Sequence, residues 1–178
     1  MDLGYSSLIV DLPHILQKGD LLVINNTKVI PARIFAKRRT GGKVEIFVLS
    51  YDIHKNTAMV MAKPSRKLKE SETIFLDGGD NYTLEVMEKR EDGQLLITFH
   101  QPIAEVLETC GQMPIPPYLQ REAEEIDKNR YQTVFANHEG AVAAPTAGLH
   151  LSEQLVEKLK EHGVEFAEIT LHVGIGTF

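Results

Sequence analysis

The sequence predicts a mixed α/β protein in which helix and strand units flank an antiparallel β-module. Three observations predict it. Capped or amphipathic helical stretches occur near residues 11–19, 102–111 and 152–163. Strand-like runs accompany them, an unbroken apolar one at Leu21-Leu22-Val23-Ile24 and an alternating one from Val164 to Gly174. Between about Phe35 and His100 the pattern becomes short strands separated by Gly-Gly and Asp-Gly turns, as antiparallel hairpins require.

In chain order, Asp11 is placed to cap a short helix, with Pro13 in its first turn and Gly19 past its end. The run Leu21 to Ile24 is apolar on both faces, as in a strand covered from both sides, and it breaks at Asn25-Asn26-Thr27. In the β-module, KVEIFVLS, TAMVMA, ETIFL, YTLEVME and QLLITF read as strands, and Thr40-Gly41-Gly42-Lys43 as a hairpin tip with basic flanks. PIAEVLETCG reads as a helix with Ile103, Val106 and Leu107 inward and Gly111 as its stop. The prolines of MPIPPYL impose an extended connector through Pro116-Pro117-Tyr118, and the acidic REAEEIDKNR reads as a solvated helix or loop.

The last unit is the most informative. Ser152 is a good N-cap, Leu151 and Val156 can staple the helix start, and Leu151, Leu155, Val156 and Leu159 form a buried stripe. Lys158, Lys160 and His162 suit its negative end, and Gly163 closes it. The small-residue segment Ala143 to His150 therefore feeds a helix start, where backbone N–H groups are open to an anion or a polar ligand edge. Its small side chains permit close approach. In the strand that follows, alternation puts Thr170, His172 and Gly174 on one face and Ile169, Leu171 and Val173 on the other.

Composition narrows the classes. Of 178 residues 43% are hydrophobic, enough for a real core, and no apolar run is long enough to span a bilayer. The start of the chain does not read as a secretory signal, and one cysteine, Cys110, forms no internal disulfide, so a cytoplasmic protein is expected. No Cys/His ligand spacing occurs, so no metal is expected. The net charge of −6 hides a split. Residues 31–69 carry ten Lys/Arg against two acids, a charge of +8, which leaves −14 on the remainder. A polyanion-facing surface accounts for that asymmetry. Lysine-rich strand edges that merely prevent aggregation account for it too.

Other motifs have both a functional and a plain reading. The APTAGLH stretch is a ligand-binding turn or a tight loop packed under the core. His150 and His172 each lie beside glycine-containing backbone, and a neutral imidazole is a competent general base near neutral pH, although a satisfied core histidine is a common fate. The G-x-G of HVGIGTF is too short for a dinucleotide fingerprint. Cys110, late in an apolar helix, reads as inert packing.

Taken together, INNTKVIPARIF, TGGKVEIF, MPIPPYL, RYQTVFA, AAPTAGLHL and ITLHVGIGTF resemble, in order, the S-adenosylmethionine:tRNA ribosyltransferase-isomerase family of queuosine biosynthesis. The resemblance runs from about Asp11 to Phe178 and corresponds to the N-terminal portion of the family. It implies an α/β main domain, residues 1–34 and 101–178, with a small antiparallel β-barrel, residues 35–100, inserted in it.

The implied reaction moves the ribosyl part of S-adenosylmethionine onto 7-aminomethyl-7-deazaguanine at the wobble position of a tRNA and isomerises it. Epoxyqueuosine-tRNA, adenine and methionine are the products. On that reading His150 or His172 removes the proton beside the sulfonium, and Asn25, Asn26 and Thr27 hold polar groups of the nucleoside. Arg33 pairs with the methionine carboxylate or a phosphate, and Thr146, Ala147, Gly148 and Gly174 line the cosubstrate. Lys37, Arg38, Arg39, Lys43, Lys63, Arg66, Lys67 and Lys69 are the expected phosphate contacts of the tRNA. A monomer without a membrane anchor is expected. Two other readings stay open: a noncatalytic RNA-binding module lacking the full pocket, and a small-ligand binder built on the Thr146 to His150 turn.

Overall fold

The computed structural model describes residues 8–115, 121, 123–124 and 126–174. The connector expected at Pro116-Pro117-Tyr118 and the final four residues of HVGIGTF lie outside them. A 3-10 turn, Ile9–Asp11, leads into helix α1, Leu12–Ile15. Asp11 holds the position before α1 as expected, but its side chain caps no N–H of that helix; its Oδ2 accepts the Leu8 N–H at 2.9 Å. Strands β1, Leu21–Asn25, and β2, Thr27–Val29, follow with only Asn26 between them.

The β-module is a closed six-stranded antiparallel barrel. Its strands are β3 (Arg33–Arg38), β4 (Lys43–Asp52), β5 (Thr57–Lys63), β6 (Thr73–Leu76), β7 (Thr83–Lys89) and β8 (Leu95–Phe99). The order runs β4-β5-β8-β7-β6-β3, and β3 pairs back onto β4 to close the ring. Alternation sends Ile34, Ala36, Val44, Ile46, Val48, Val60, Ile74, Leu84, Val86, Leu95 and Ile97 inward, where all are buried. The hairpin tip is where the sequence places it: Gly41 takes φ +83, and Arg38 N–H donates to Gly42 O at 2.8 Å.

Helix α2, Ile103–Cys110, adds Ile103, Val106, Leu107 and Cys110 to the barrel core. Asn56 tethers its start, accepting the Ile103 N–H at 2.8 Å. Gly111 ends it for a steric reason, since a Cβ there would sit 2.3 Å from both the Leu107 and Pro31 carbonyl oxygens. Gly111 and Gln112 form the short strand β9 against the start of β3. Burial pushes the Cys110 thiol above its ordinary pKa, consistent with packing and not reactivity.

Helix α3, Asp127–Arg130, belongs to the acidic stretch read as solvated, yet Asp127 is only 3% exposed. Arg121 grips its carboxylate with two bonds of 2.6 and 2.7 Å, which makes burial tolerable. Strand β10, His138–Ala141, helix α4, Glu153–Glu161, and strand β11, Glu165–Ile169, complete the described elements.

The segments on either side of the barrel pair with each other. β1 runs parallel to β11 from Leu21↔Glu165 to Asn25↔Ile169, and β2 runs parallel to β10. Leu155, Val156 and Leu159 of α4 pack with Leu12, Leu16, Leu22 and Phe166 on one face of the β1–β11 pair. The opposite face differs from the sequence expectation of a strand covered on both sides. Leu21 and Val23 are 58% and 55% exposed, because no described layer packs over them.

Candidate functional site

The parallel strands bring the polar residues together. β1 ends at Asn25, and the chain turns through Asn26 into β2 alongside the segment leaving β11. Asn25 fixes that segment by a two-bond bracket: Nδ2 donates to Leu171 O at 2.9 Å and Oδ1 accepts Leu171 N–H at 3.0 Å. Asn26 Nδ2 donates to Glu168 Oε2 at 2.9 Å, and Thr170 Oγ1 donates to Asn26 Oδ1 at 2.7 Å. Glu168, Thr170 and His172 therefore lie along one edge, as period-two alternation requires.

His172 occupies a defined seat. Its Nδ1 is 2.8 Å from Thr27 Oγ1, and the same hydroxyl is 3.4 Å from the His138 carbonyl oxygen. When Thr27 directs its proton to that carbonyl, Nδ1 carries the ring proton and Nε2 presents a lone pair. The imidazole lies over Gly140, where a Cβ would meet three ring atoms at 2.7 to 2.8 Å. Gly140 also has φ +146, a conformation that favours glycine. Thr27 is 1% exposed while the His172 residue is exposed, so a buried hydroxyl orients an open imidazole.

The turn expected to bind ligand is a 3-10 turn, Thr146–His150, and it is open. Thr146, Ala147 and His150 are exposed. Ser152 caps α4 as expected, accepting the Leu155 N–H at 3.2 Å. The small side chain at Gly148 serves a neighbour below it: a Cβ there would lie 2.9 Å from Thr133 Cγ2. Thr133 Oγ1 is buried without a hydrogen-bond partner among the described residues. Val142 N–H donates to Val173 O at 3.0 Å, so the chain carrying His172 runs beside the strand end that leads into this turn. Among the described residues, no hydrogen bond links His150 to His172.

The predicted residues thus separate into groups. Asn25, Asn26, Thr27 and His172 form one bonded cluster, and Thr146, Ala147, Gly148 and His150 form the open turn. Gly174 lies just beyond His172 and is exposed. Arg33 is on the outer face of the barrel, where Nε donates to Glu45 Oε1 at 2.7 Å and the guanidinium lies 4.9 Å from the Phe35 ring centroid. Asn26 and Thr27, both under 5% exposed, act by holding other side chains.

Three participants were missed in the sequence. Glu168 was available by carrying the Thr170–His172 alternation one step back. Gly140 and Thr133 gave no sequence signal, since only the fold sets them against His172 and Gly148. A further fixed point is Gln132, whose side chain accepts Val29 N–H at 2.9 Å and donates to Val29 O at 2.7 Å, steadying β2.

Comparison with known proteins agrees with the resemblance. A family model described as queuosine biosynthesis protein matches residues 5–178. The S-adenosylmethionine:tRNA ribosyltransferase-isomerase of Xylella fastidiosa (strain M12) is 49% identical over 171 residues, covering 94% of this chain and 48% of that relative. The protein of the same name from Aquifex aeolicus is 44% identical, covering 95% of this chain and 50% of its own length. A crystal structure of an S-adenosylmethionine tRNA ribosyltransferase from Thermotoga maritima matches at 28% identity and a TM-score of 0.41, over 94% of this chain and 45% of that one. The chain spans about half the length of the curated relatives it matches.

Proposed function

The chain belongs to the queuosine biosynthesis protein family, and from that premise we propose that it carries base and cosubstrate-binding elements of a tRNA ribosyltransferase-isomerase. The reaction proposed is transfer and isomerisation of the ribosyl part of S-adenosylmethionine onto 7-aminomethyl-7-deazaguanine in a tRNA, releasing adenine and methionine. The architecture proposed is a barrel inserted between residues 1–34 and 101–178, in a monomer acting in the cytoplasm. No helix among the described residues is long and apolar enough to cross a membrane.

One observation carries the reading: a solvent-open imidazole, His172, whose Nδ1 is held by buried Thr27 and whose ring rests on Gly140. Bound S-adenosylmethionine would supply a sulfonium that makes the neighbouring 5′ carbon acidic. With the Thr27 proton directed to the His138 carbonyl, the imidazole can then accept a proton through Nε2. The open turn at Thr146 to His150 offers backbone at close range. Glu168, anchored by Asn26, adds a carboxylate complementary to a cation. His150 remains the second candidate base, exposed at the end of the turn.

A second reading has an observation of its own. The cationic barrel face lies on strands separate from the histidines, so an RNA-binding module without catalysis would keep it. Incubating the chain with S-adenosylmethionine and the modified tRNA separates the two. Adenine release that is lost on His172→Ala supports the first. RNA binding without adenine release returns the second, and release unaffected by both His172→Ala and His150→Ala removes the proposed bases.

A further inference from the structure

Register, not proximity in sequence, assembles a second surface. On the outer face of the barrel, Phe35 is paired across to Glu45, Lys37 to both Lys43 and Phe75, and Glu45 to Lys63. Paired residues share a face, so two aromatic rings and three lysines lie on one continuous sheet surface. Phe75 is 44% exposed. A cleft of about 680 Å³ opens over Phe35, Lys37, Lys43 and Lys63; its two carboxylates, Glu45 and Asp77, are engaged by Arg33 and Lys37. That size accommodates a nucleotide.

The eight cations first read as phosphate contacts are not equivalent. Arg38 is bonded twice to Glu72, at 2.6 and 3.1 Å, and both side chains are largely buried. Lys37 meets Asp77 at 2.8 Å. Among the described residues, no ion pair engages Lys43 or Lys63. Positive charge on Lys43 and Lys63 beside an exposed ring, Phe75, and a half-buried one, Phe35, matches a polyanion whose bases are unstacked. A duplex hides its base faces and offers only phosphates.

We propose that this outer barrel face binds single-stranded RNA, with Phe35 and Phe75 as stacking platforms and Lys43 and Lys63 on the flanking phosphates. The inference rests on the reading of RNA as partner but not on the chemistry at His172. It is tested by fluorescence anisotropy with a labelled 12-nucleotide single-stranded RNA, its blunt duplex, and polyglutamate as an acidic peptide. The single strand is expected to bind about tenfold more tightly than the duplex, and polyglutamate not to compete. Phe75→Ala is expected to weaken binding by about five- to 150-fold, the range that the loss of one base–aromatic stack covers. Phe35→Leu keeps an apolar side chain but removes the ring, and should weaken it too. Lys43→Ala with Lys63→Ala should flatten the log–log salt dependence by about 1.4, two phosphates' share for a single strand.

Equal binding of strand and duplex, no effect of either phenylalanine change, or competition by polyglutamate would overturn the proposal. His172→Ala should leave the oligonucleotide affinity unchanged. Adenine release without strand binding would therefore defeat this inference alone, and strand binding without adenine release would defeat only the catalytic reading.

Discussion

The imidazole of His172 rests on the backbone of Gly140, so closely that a single Cβ at that glycine would fall 2.7 to 2.8 Å from three ring atoms. The contact joins residues 32 positions apart and depends on β10 lying beside the chain that leaves β11. It makes Gly140 a positioning residue for the imidazole proposed as base.

Gly140→Ala should therefore displace the ring and lower adenine release about a hundredfold, the order expected for a misplacement near 1 Å. The positive φ adds a folding cost of about 1 kcal/mol. Thermal melting separates the two effects. A folded variant with full activity would contradict the role given to this glycine.

Thr27 holds Nδ1 through a hydroxyl, so Thr27→Val keeps shape and removes the bond. Adenine release should fall about tenfold, with about 1 kcal/mol lost in stability. Thr27→Ser restores the hydroxyl and should restore the rate. Equal loss in both variants would mean that the methyl packing matters and the hydrogen bond does not.

Asp127 gives a pH-dependent signature. Arg121 beside it and the Glu124 N–H lower its carboxyl from the ordinary aspartate value to about 2. A lowered folded pKa stabilises the fold above the unfolded value, about 3.9, and the benefit is lost as pH falls through 2. Urea midpoints of the native chain should decline from pH 4 to pH 2. Asp127→Asn should be less stable at pH 7 and show a shallower decline across that window. Parallel curves would show that the pair contributes nothing to acid unfolding.

Ser152 tests the last helix. Ser152→Ala removes the oxygen that accepts the Leu155 N–H and should cost about 1 kcal/mol. That corresponds to a melting temperature lowered by about 2 to 4 °C for a chain of this size. No change would mean that the cap is replaced by water without cost.

Local chemistry was legible where it acts over a few residues. The Ser152 cap, the stripe through Leu159, the Gly41 hairpin tip and the barrel strands follow from period, capping and turn preference, which neighbours in sequence settle between themselves. The start of α1 directly after Asp11 was read correctly, but the Asp11 carboxylate bonds back to Leu8 N–H and caps no N–H of α1. The expectation that Leu21 and Val23 are covered failed for a different reason: apolarity records what a strand can bury, and the layers present decide what it does bury.

By itself, then, the sequence determined the elements, the barrel, the family and the histidines worth testing, since periodicity and ordered motifs are properties of a linear chain. Only the tertiary structure decided that Thr27 and Gly140 seat His172, that Arg33 is bound to Glu45, and that Phe35 and Phe75 share a face with Lys43 and Lys63. Those relations depend on strand order and register, which are set by many weak contacts between distant segments.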